Sequence, residues 1–581
     1  MNTAYNLRAT STSSSDRLRP FAGVLIALPV MCMIGLIAIY TVNVPWMDDI
    51  DAFLYFILGY TDAKTIGNKL GWLIRPNNEH RILTGKLITL AMYKLTGVVN
   101  FRWLVVAAFG FLLGLLYVFY RVFRSCRLPL LAFVPVCFLM LQPQFYLTSL
   151  WAITGLQHQV AVMLIFTTLY LLAGNERTRF VAAIGVQVLA SLSMSNGLFG
   201  WVAGAVVLAL QRRWTSLGLW LVLSVATIWF YFHDFPNGQG NESSVSFFLQ
   251  YPYLIFSGFF TFLGGLFDFF PNAPIFWRSV LPTVWGLVLV LTMLGLLWQM
   301  NRHLLRRRIS LADLREDAAR ALQKRRFFFT GGYAFLAVNA TVVAFLRPRF
   351  GYDVMLVSNY MIYPAILTSL LYLNVLSEQQ TSFFRNRWAT GGLVMSIVIW
   401  GIWYGIRLPK VAYRKQQLLT MAFNQKHSET GLGPQWGTPF AEVTRQTMRE
   451  SVRRTIYQYP DGYFTPYENQ LVSPIGDTTA GPTLNVSGGG YSYIVTTTDE
   501  KALPEPVIDA ALIVKSAQHI YLFPSELPYA PGAFYFNKPI KTLKAEIVNP
   551  ILAPGQYQLG VLTATNPTKP VQYSPQTLTI P

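Results

Sequence analysis

Three carboxylates fall within four residues in Pro45-Trp46-Met47-Asp48-Asp49-Ile50-Asp51, directly after the first long apolar run of the chain. Carboxylates beside hydrocarbon lose solvation, which raises their basicity and suits Asp48 or Asp49 to take a proton from a hydroxyl as a general base. The competing reading is a hydrated loop whose acids face water. The same stretch continues with Arg75-Pro76-Asn77-Asn78-Glu79-His80-Arg81 and then Lys86, and a second basic set follows in Leu346-Arg347-Pro348-Arg349-Phe350-Gly351-Tyr352-Asp353, with Ser358-Asn359-Tyr360 behind it. Arginine forks match phosphate oxygens, so these cations could hold a lipid-linked phosphate whose tail lies between helices. Ordinary anionic headgroups are the other ligand they would suit.

The elements that carry these residues are dictated by composition. The chain of 581 residues is 53% hydrophobic and only 13% charged, which excludes an ordinary soluble domain. Apolar runs long enough to cross a hydrocarbon layer of about 30 Å recur from Phe21 to Ile406 and then stop. The basic loops set a count of about eleven spans: Phe21–Val42, Phe101–Tyr120, Leu130–Leu147, Gln157–Ala173, Phe180–Ser195, Gly197–Leu210, Leu217–Phe232, Ser279–Met300, Phe327–Leu346, Ser358–Leu376 and Gly391–Ile406. The formal charge of +19 does not require a nucleic-acid partner, because 21 of the 46 Lys and Arg residues lie in the leader and in loops assigned to the cytoplasm. An odd number of spans places the C-terminal domain outside.

Ile82–Val98, with Lys86 and Lys94, and Phe247–Phe270 would break that parity as spans. Both are expected to lie in the outer face or dip into it, since charge at the bilayer centre costs several kcal/mol. The leader, residues 1–20, is basic and Ser-rich, and the run after it is longer than a signal-peptide core, so it is expected to remain as a first span with the N-terminus inside. The loop opening Ser310-Leu311-Ala312-Asp313 is expected to form an interfacial helix through Leu314, Ala318, Ala321 and Leu322, most simply a basic surface anchor. Helical patterns near Lys410–Asn424 and Pro439–Tyr457 precede strand-like segments from about Pro482 onward, at Ser492–Thr497, Ala511–Val514, His519–Phe523, Lys544–Val548 and Gly555–Leu562. The expected fold is therefore an α-helical polytopic membrane protein with interfacial helices, residues 21–406 with an outer loop at 43–100, followed by an extracytoplasmic β-sandwich-like domain at 407–581. The three cysteines all precede that domain, so no disulfide framework exists there. No metal-ligand spacing, Gly-rich nucleotide loop or Ser-His-Asp order stands out.

A first span, a long outer loop opening with an acidic pair, an interfacial helix with a lysine, and a span ending in cytoplasmic arginines together resemble the GT-C class of membrane glycosyltransferases. Protein O-mannosyltransferases and the bacterial aminoarabinose transferase are similar in this layout. The resemblance covers residues 20–406 and is sharpest at Asp48-Asp49, at Asn78 to Arg81 with Lys86, and at Arg347 to Tyr360. It implies an inverting transferase in the bacterial cytoplasmic membrane that moves a sugar from a polyprenyl-phosphate donor to a glycan, lipid or protein acceptor on the outer face. It implies Asp48, with Asp49 as close competitor, as base, and Arg347 and Arg349, with Arg81 and Lys86 behind them, as the cations of the phosphate pocket. Asp51, Glu79, His80, Tyr352 and Tyr360 are further candidates. No cofactor is firmly implied by it, and dependence on a divalent metal is left open.

Several relatives of that class carry a second acid between the third and fourth spans. Here the segment from Thr148 to His158 has none, so Asp51 or Asp49 substitutes or His158 does different work. Two other functions share parts of the pattern. A transporter or flippase of lipid-linked sugars would need ionisable residues within spans or broken helices, of which Ser195-Asn196-Gly197 is the best break. A polymerase or ligase of surface polysaccharide would also use outer arginines but does not explain the acidic pair.

Overall fold

The computed structural model describes residues 19–78, 80–235, 243–306, 317–379, 381–434, 436–475, 481–498, 510–526, 542–563 and 571–581. Most of the leader and the Ser310–Leu314 start of the expected loop helix lie outside the described residues. The chain forms two compact units. The first holds residues 1–39, 74–85 and 105–404, and the second residues 40–73, 86–104 and 405–581.

The first unit is helical. Among the described residues nine helices are long and apolar enough to cross a membrane, or up to ten if a bent pair counts as one span. Those nine match nine of the expected segments. Phe180–Ser195 and Gly197–Leu210 correspond instead to helices Arg177–Ser193, of 17 residues, and Phe199–Leu210, of 12. They are separated by a 3-10 turn, Ser195–Leu198, in which a side chain on Gly197 would meet the Ala190 carbonyl oxygen at 1.9 Å. The expected span Leu130–Leu147 is also broken. A helix Val134–Met140 ends before Gln142, whose side chain accepts from the Gln144 amide and starts a 3-10 turn at Pro143. Both glutamines are fully buried, and Gln144 Nε2 donates to the Gly265 carbonyl at 2.6 Å, so the break leaves polar groups partnered inside the unit.

Phe247–Phe270 is not one straight helix, because Ser244–Gln250 and Pro252–Leu263 meet at 103°. Proline at the first helical position, where no amide is needed, fits that restart. The separate loop helix expected around Ala318–Leu322 is corrected: these residues are the first turns of a continuous helix, Asp317–Leu346. The expected span Gly391–Ile406 and the helix near Lys410–Asn424 are likewise one helix, Ser382–Ser428, running through Pro409. Ile82–Val98 contains a helix of 14 residues, Leu83–Thr96, shorter than a span.

The second unit ends in two antiparallel sheets. One has the order β1 (Leu484–Gly489), β2 (Ser492–Thr497), β5 (Lys544–Val548); the other has the order β4 (Ile520–Pro524), β3 (Ala510–Lys515), β6 (Gly555–Thr563), β7 (Gln572–Ile580). Leu484, Val495, Ala545 and Ile547 of the first sheet share one core with Leu512, Val514, Phe523, Leu559 and Leu578 of the second. The other face of the second sheet, with Ala511, Ile513, Leu522 and Leu562, packs on Leu419 and Phe423 of helix Ser382–Ser428 and on Phe464 and Leu471. Strand β3 is buried on both faces, which explains its unbroken apolar run where a half-exposed strand would alternate.

Candidate functional site

In the second unit the acidic run is held by an irregular turn. Met47 adopts a left-handed backbone at φ 49°, and its amide donates to the Leu432 carbonyl at 2.8 Å. The Trp46 amide donates to Asp49 Oδ2 at 3.1 Å, and a π-helical segment, Ile50–Tyr55, follows at once with Ile50, Ala52, Phe53 and Leu54 buried. Such segments are uncommon and recur at functional sites. The three acids have different surroundings: Asp49 is only 1% exposed, Asp48 is half-buried and Asp51 is exposed. The Arg414 guanidinium stacks over the Trp46 ring at 4.2 Å. Lys86 is 2% exposed; its Nζ donates to the Trp72 carbonyl at 3.0 Å and lies 5.3 Å from the Phe56 ring centre.

In the first unit Arg81 is a main-chain clamp. Its guanidinium donates to the carbonyls of Ile74, Tyr231 and His233, and its own amide donates to the Tyr231 hydroxyl. The rings of Phe230 and Phe235 cover it. Burial lowers its pKa from the ordinary value, with Tyr231 and Asp234 opposing. His80 pairs through its backbone with Asn77, while Glu79 lies outside the described residues. Tyr352 is tied by its hydroxyl to Thr261 at 2.8 Å and Ser257 at 2.9 Å. Arg347 precedes a 3-10 turn, Pro348–Phe350, that contains Arg349 and is closed by Gly351 at φ 117°; both arginines are partly exposed, and Arg349 lies 4.6 Å over the Phe350 ring.

The structure gathers three of the expected residues around a fourth, His158, which is 3% exposed near the start of helix Ala152–Leu172. His80 and Arg347 both lie within electrostatic reach of its ring, and the Tyr360 ring stands edge-on to it at 5.9 Å. Its Nδ1 is 2.9 Å from the Tyr363 hydroxyl, which accepts from Asn196 Nδ2 at 2.9 Å; the same nitrogen donates to Asn339 Oδ1 at 2.7 Å. Nearby, Thr148 donates to the Asn359 carbonyl and Ser358 to the Gln144 carbonyl. Sequence reasoning missed Tyr363, Asn339 and Arg414. Asn196 was marked only as part of a helix break, and Asn339 was visible as a lone amide in an apolar run.

The bidentate pair of Asp268 with Arg278 was missed as well. Asp268 is fully buried, Arg278 Nη2 approaches Asp268 Oδ2 at 2.6 Å, and the same nitrogen donates to the Leu356 carbonyl at 3.1 Å. A lone acid at the end of an apolar stretch, ten residues before a lone arginine, was the available signal. Among the described residues no group of three or more His, Cys, Asp or Glu could hold a metal ion. No known family model matches the chain, and neither the curated proteins nor the solved structures contain a match.

Proposed function

We propose that this membrane protein is an inverting glycosyltransferase that moves a sugar from a polyprenyl-phosphate donor to a cell-envelope glycan, lipid or protein at the outer face of the bacterial cytoplasmic membrane. On this reading the chain has eleven spans, counting the two short helices Arg177–Ser193 and Phe199–Leu210, with the N-terminus inside. The two C-terminal sheets then form an extracytoplasmic β-sandwich-like domain. The observation that supports it most is the acidic turn: one carboxylate, Asp49, buried and tied to the Trp46 amide, beside a half-buried Asp48, at the head of a π-helical segment.

Asp48 is the base for the acceptor hydroxyl in this scheme. Asp49 holds the turn. Arg347 and Arg349 neutralise the phosphate leaving group, whereas Arg81 and Lys86, with their donors on main-chain carbonyls, shape the loop that carries them. The second reading, a transporter of lipid-linked sugars, is favoured by the buried polar chain from Asn339 to His158 and by the break at Ser195–Leu198.

Transfer of radiolabelled sugar from a polyprenyl-phosphate donor, in purified and reconstituted protein, separates the two. Asp48→Asn should lower turnover by about 10²–10⁴-fold with donor binding kept, Asp49→Asn should lower it less, and Asp51→Asn should leave it near normal. Full activity in all three variants would remove the acids from catalysis. A wild type that moves lipid-linked sugar across the bilayer but never transfers it would favour the transporter.

A further inference from the structure

Asn339, Asn196, Tyr363 and His158 are joined in series by hydrogen bonds. Asn196 Nδ2 has two hydrogens and spends one on Asn339 Oδ1 and the other on the Tyr363 oxygen. In this orientation its Oδ1 accepts from Ser195 Oγ at 3.4 Å. The Tyr363 oxygen therefore accepts from Asn196, and its single hydrogen points to His158 Nδ1. In this arrangement a neutral His158 carries its hydrogen on Nε2. That nitrogen makes no hydrogen bond within the described residues, and the residue as a whole is 3% exposed.

Three features indicate what Nε2–H is for. Among the described residues, the charged or chargeable groups that bear on the ring are His80 and Arg347. Tyr360 and Tyr363 hold the ring on two sides, at 5.9 and 5.7 Å, so it is fixed before any ligand arrives. In a water-poor site a neutral donor pre-aimed at an oxyanion costs less to bury than a second cation next to Arg347, yet still stabilises negative charge.

We propose that His158 is a neutral, tautomer-locked hydrogen-bond donor to a phosphate oxygen of a prenyl-phosphate ligand, with Tyr363, Asn196 and Asn339 as positioning residues. The inference rests on the donor class proposed above and adds the residue that reads its headgroup.

The test uses full-length protein in nanodiscs. With ¹⁵N-labelled histidine, the His158 signals, identified by their loss in His158→Gln, should show a pyrrole-type Nε2 and a pyridine-type Nδ1; Tyr363→Phe should convert them to a tautomer mixture. Binding is then measured with geranylgeranyl phosphate, geranylgeraniol and inorganic phosphate. Relative to wild type, His158→Asn should weaken geranylgeranyl phosphate by roughly 10-fold or more, as expected for loss of one hydrogen bond to a charged group, and leave geranylgeraniol unchanged. His158→Gln, whose amide nitrogen reaches the place of Nε2, should recover most of that loss, which a purely structural histidine would not show. An Nδ1–H tautomer in the wild type, equal loss for geranylgeraniol, or unchanged phosphate binding in a folded His158→Asn would overturn the proposal. Inorganic phosphate binding as tightly as the prenyl phosphate would overturn the lipid source. His158-dependent binding without sugar transfer would sink the transferase and leave this site standing, while transfer that survives His158→Asn at unchanged donor KM would do the reverse.

Discussion

Removing one member of the Asp268–Arg278 pair should destabilise the first unit far more than removing both. Asp268 has no exposed side-chain surface and Arg278 only 16%, so neither charge can be rehydrated in place. With charge centres about 4 Å apart and an effective dielectric constant of about 20, the attraction is about 4 kcal/mol. Arg278→Ala also abandons the Leu356 carbonyl, and leaving a buried carboxylate alone carries a typical cost of about 3–5 kcal/mol. The double variant Asp268→Leu with Arg278→Met places apolar groups of similar bulk at both positions and should cost less than either single change. Unfolding in mixed micelles with increasing dodecyl sulfate, followed by circular dichroism, gives the four corners of the cycle. A loss below about 1 kcal/mol in Arg278→Ala, or a double variant whose loss equals the sum of the singles, would refute the account of a dry, coupled pair.

The main-chain clamp predicts that Arg81→Lys, which keeps charge but cannot reach three carbonyls, lowers stability by about 2 kcal/mol in the same unfolding assay. Gly286→Ala should cost about 1–3 kcal/mol, because its Cβ would sit 1.9 Å from the Phe260 carbonyl oxygen where helix Ile275–Arg306 meets helix Pro252–Leu263. Gly295→Ala, on the same helix with open space at its Cβ, should be neutral or slightly stabilising, and an equal loss at both sites would dismiss the close-approach explanation. Hydrogen bonds from Arg453 and Arg454 hold the Glu450 carboxyl at about 2, below its ordinary 4.5, and Arg454 also grips Asp62 at 2.6 Å. The folded form thus binds its proton less readily than the unfolded chain, so this contribution to stability is complete above pH 4.5 and is lost as pH falls toward 2. Thermal unfolding scans should show that acid step in the wild type and a smaller one in Glu450→Gln.

What the sequence made legible follows from how far apart the interacting residues are. Apolar length alone marks the spans, the run at Ala511–Val514 marks strand β3, since burial on both faces leaves no polar interruption, and Gly555–Leu562 marks β6 through its buried second half. Strands β1 and β7 escaped notice because Leu484–Gly489 ends in glycines and Gln572–Ile580 contains Pro575 and four exposed positions. Hydropathy also could not place helix breaks set by side chains, such as the one where Gln142 caps the turn at Pro143. The acidic run Asp48–Asp51 was visible by its density, yet its division into a buried, a half-buried and an exposed acid depends on which backbone atoms the turn brings inward. Arg81 looked like a phosphate ligand because its partners are carbonyl oxygens, which have no letter in a sequence; two of them lie 150 and 152 residues away.

The contrast between the charged and the neutral polar residues has a physical origin. A buried charge must be compensated within a few ångströms, as Asp268 is by Arg278. A neutral amide or hydroxyl costs less to bury, and several can be linked in series, as Asn339, Asn196, Tyr363 and His158 are across separations of 143, 167 and 205 residues. Each link taken singly is an unremarkable polar side chain in an apolar helix. Joined, they remove the rotational and tautomeric freedom of one imidazole, and a donor fixed in this way spends no further ordering free energy when a ligand arrives. The residues that most constrain chemistry in the first unit are therefore the ones whose sequence signal is weakest, because their specificity resides in the order of the chain they form.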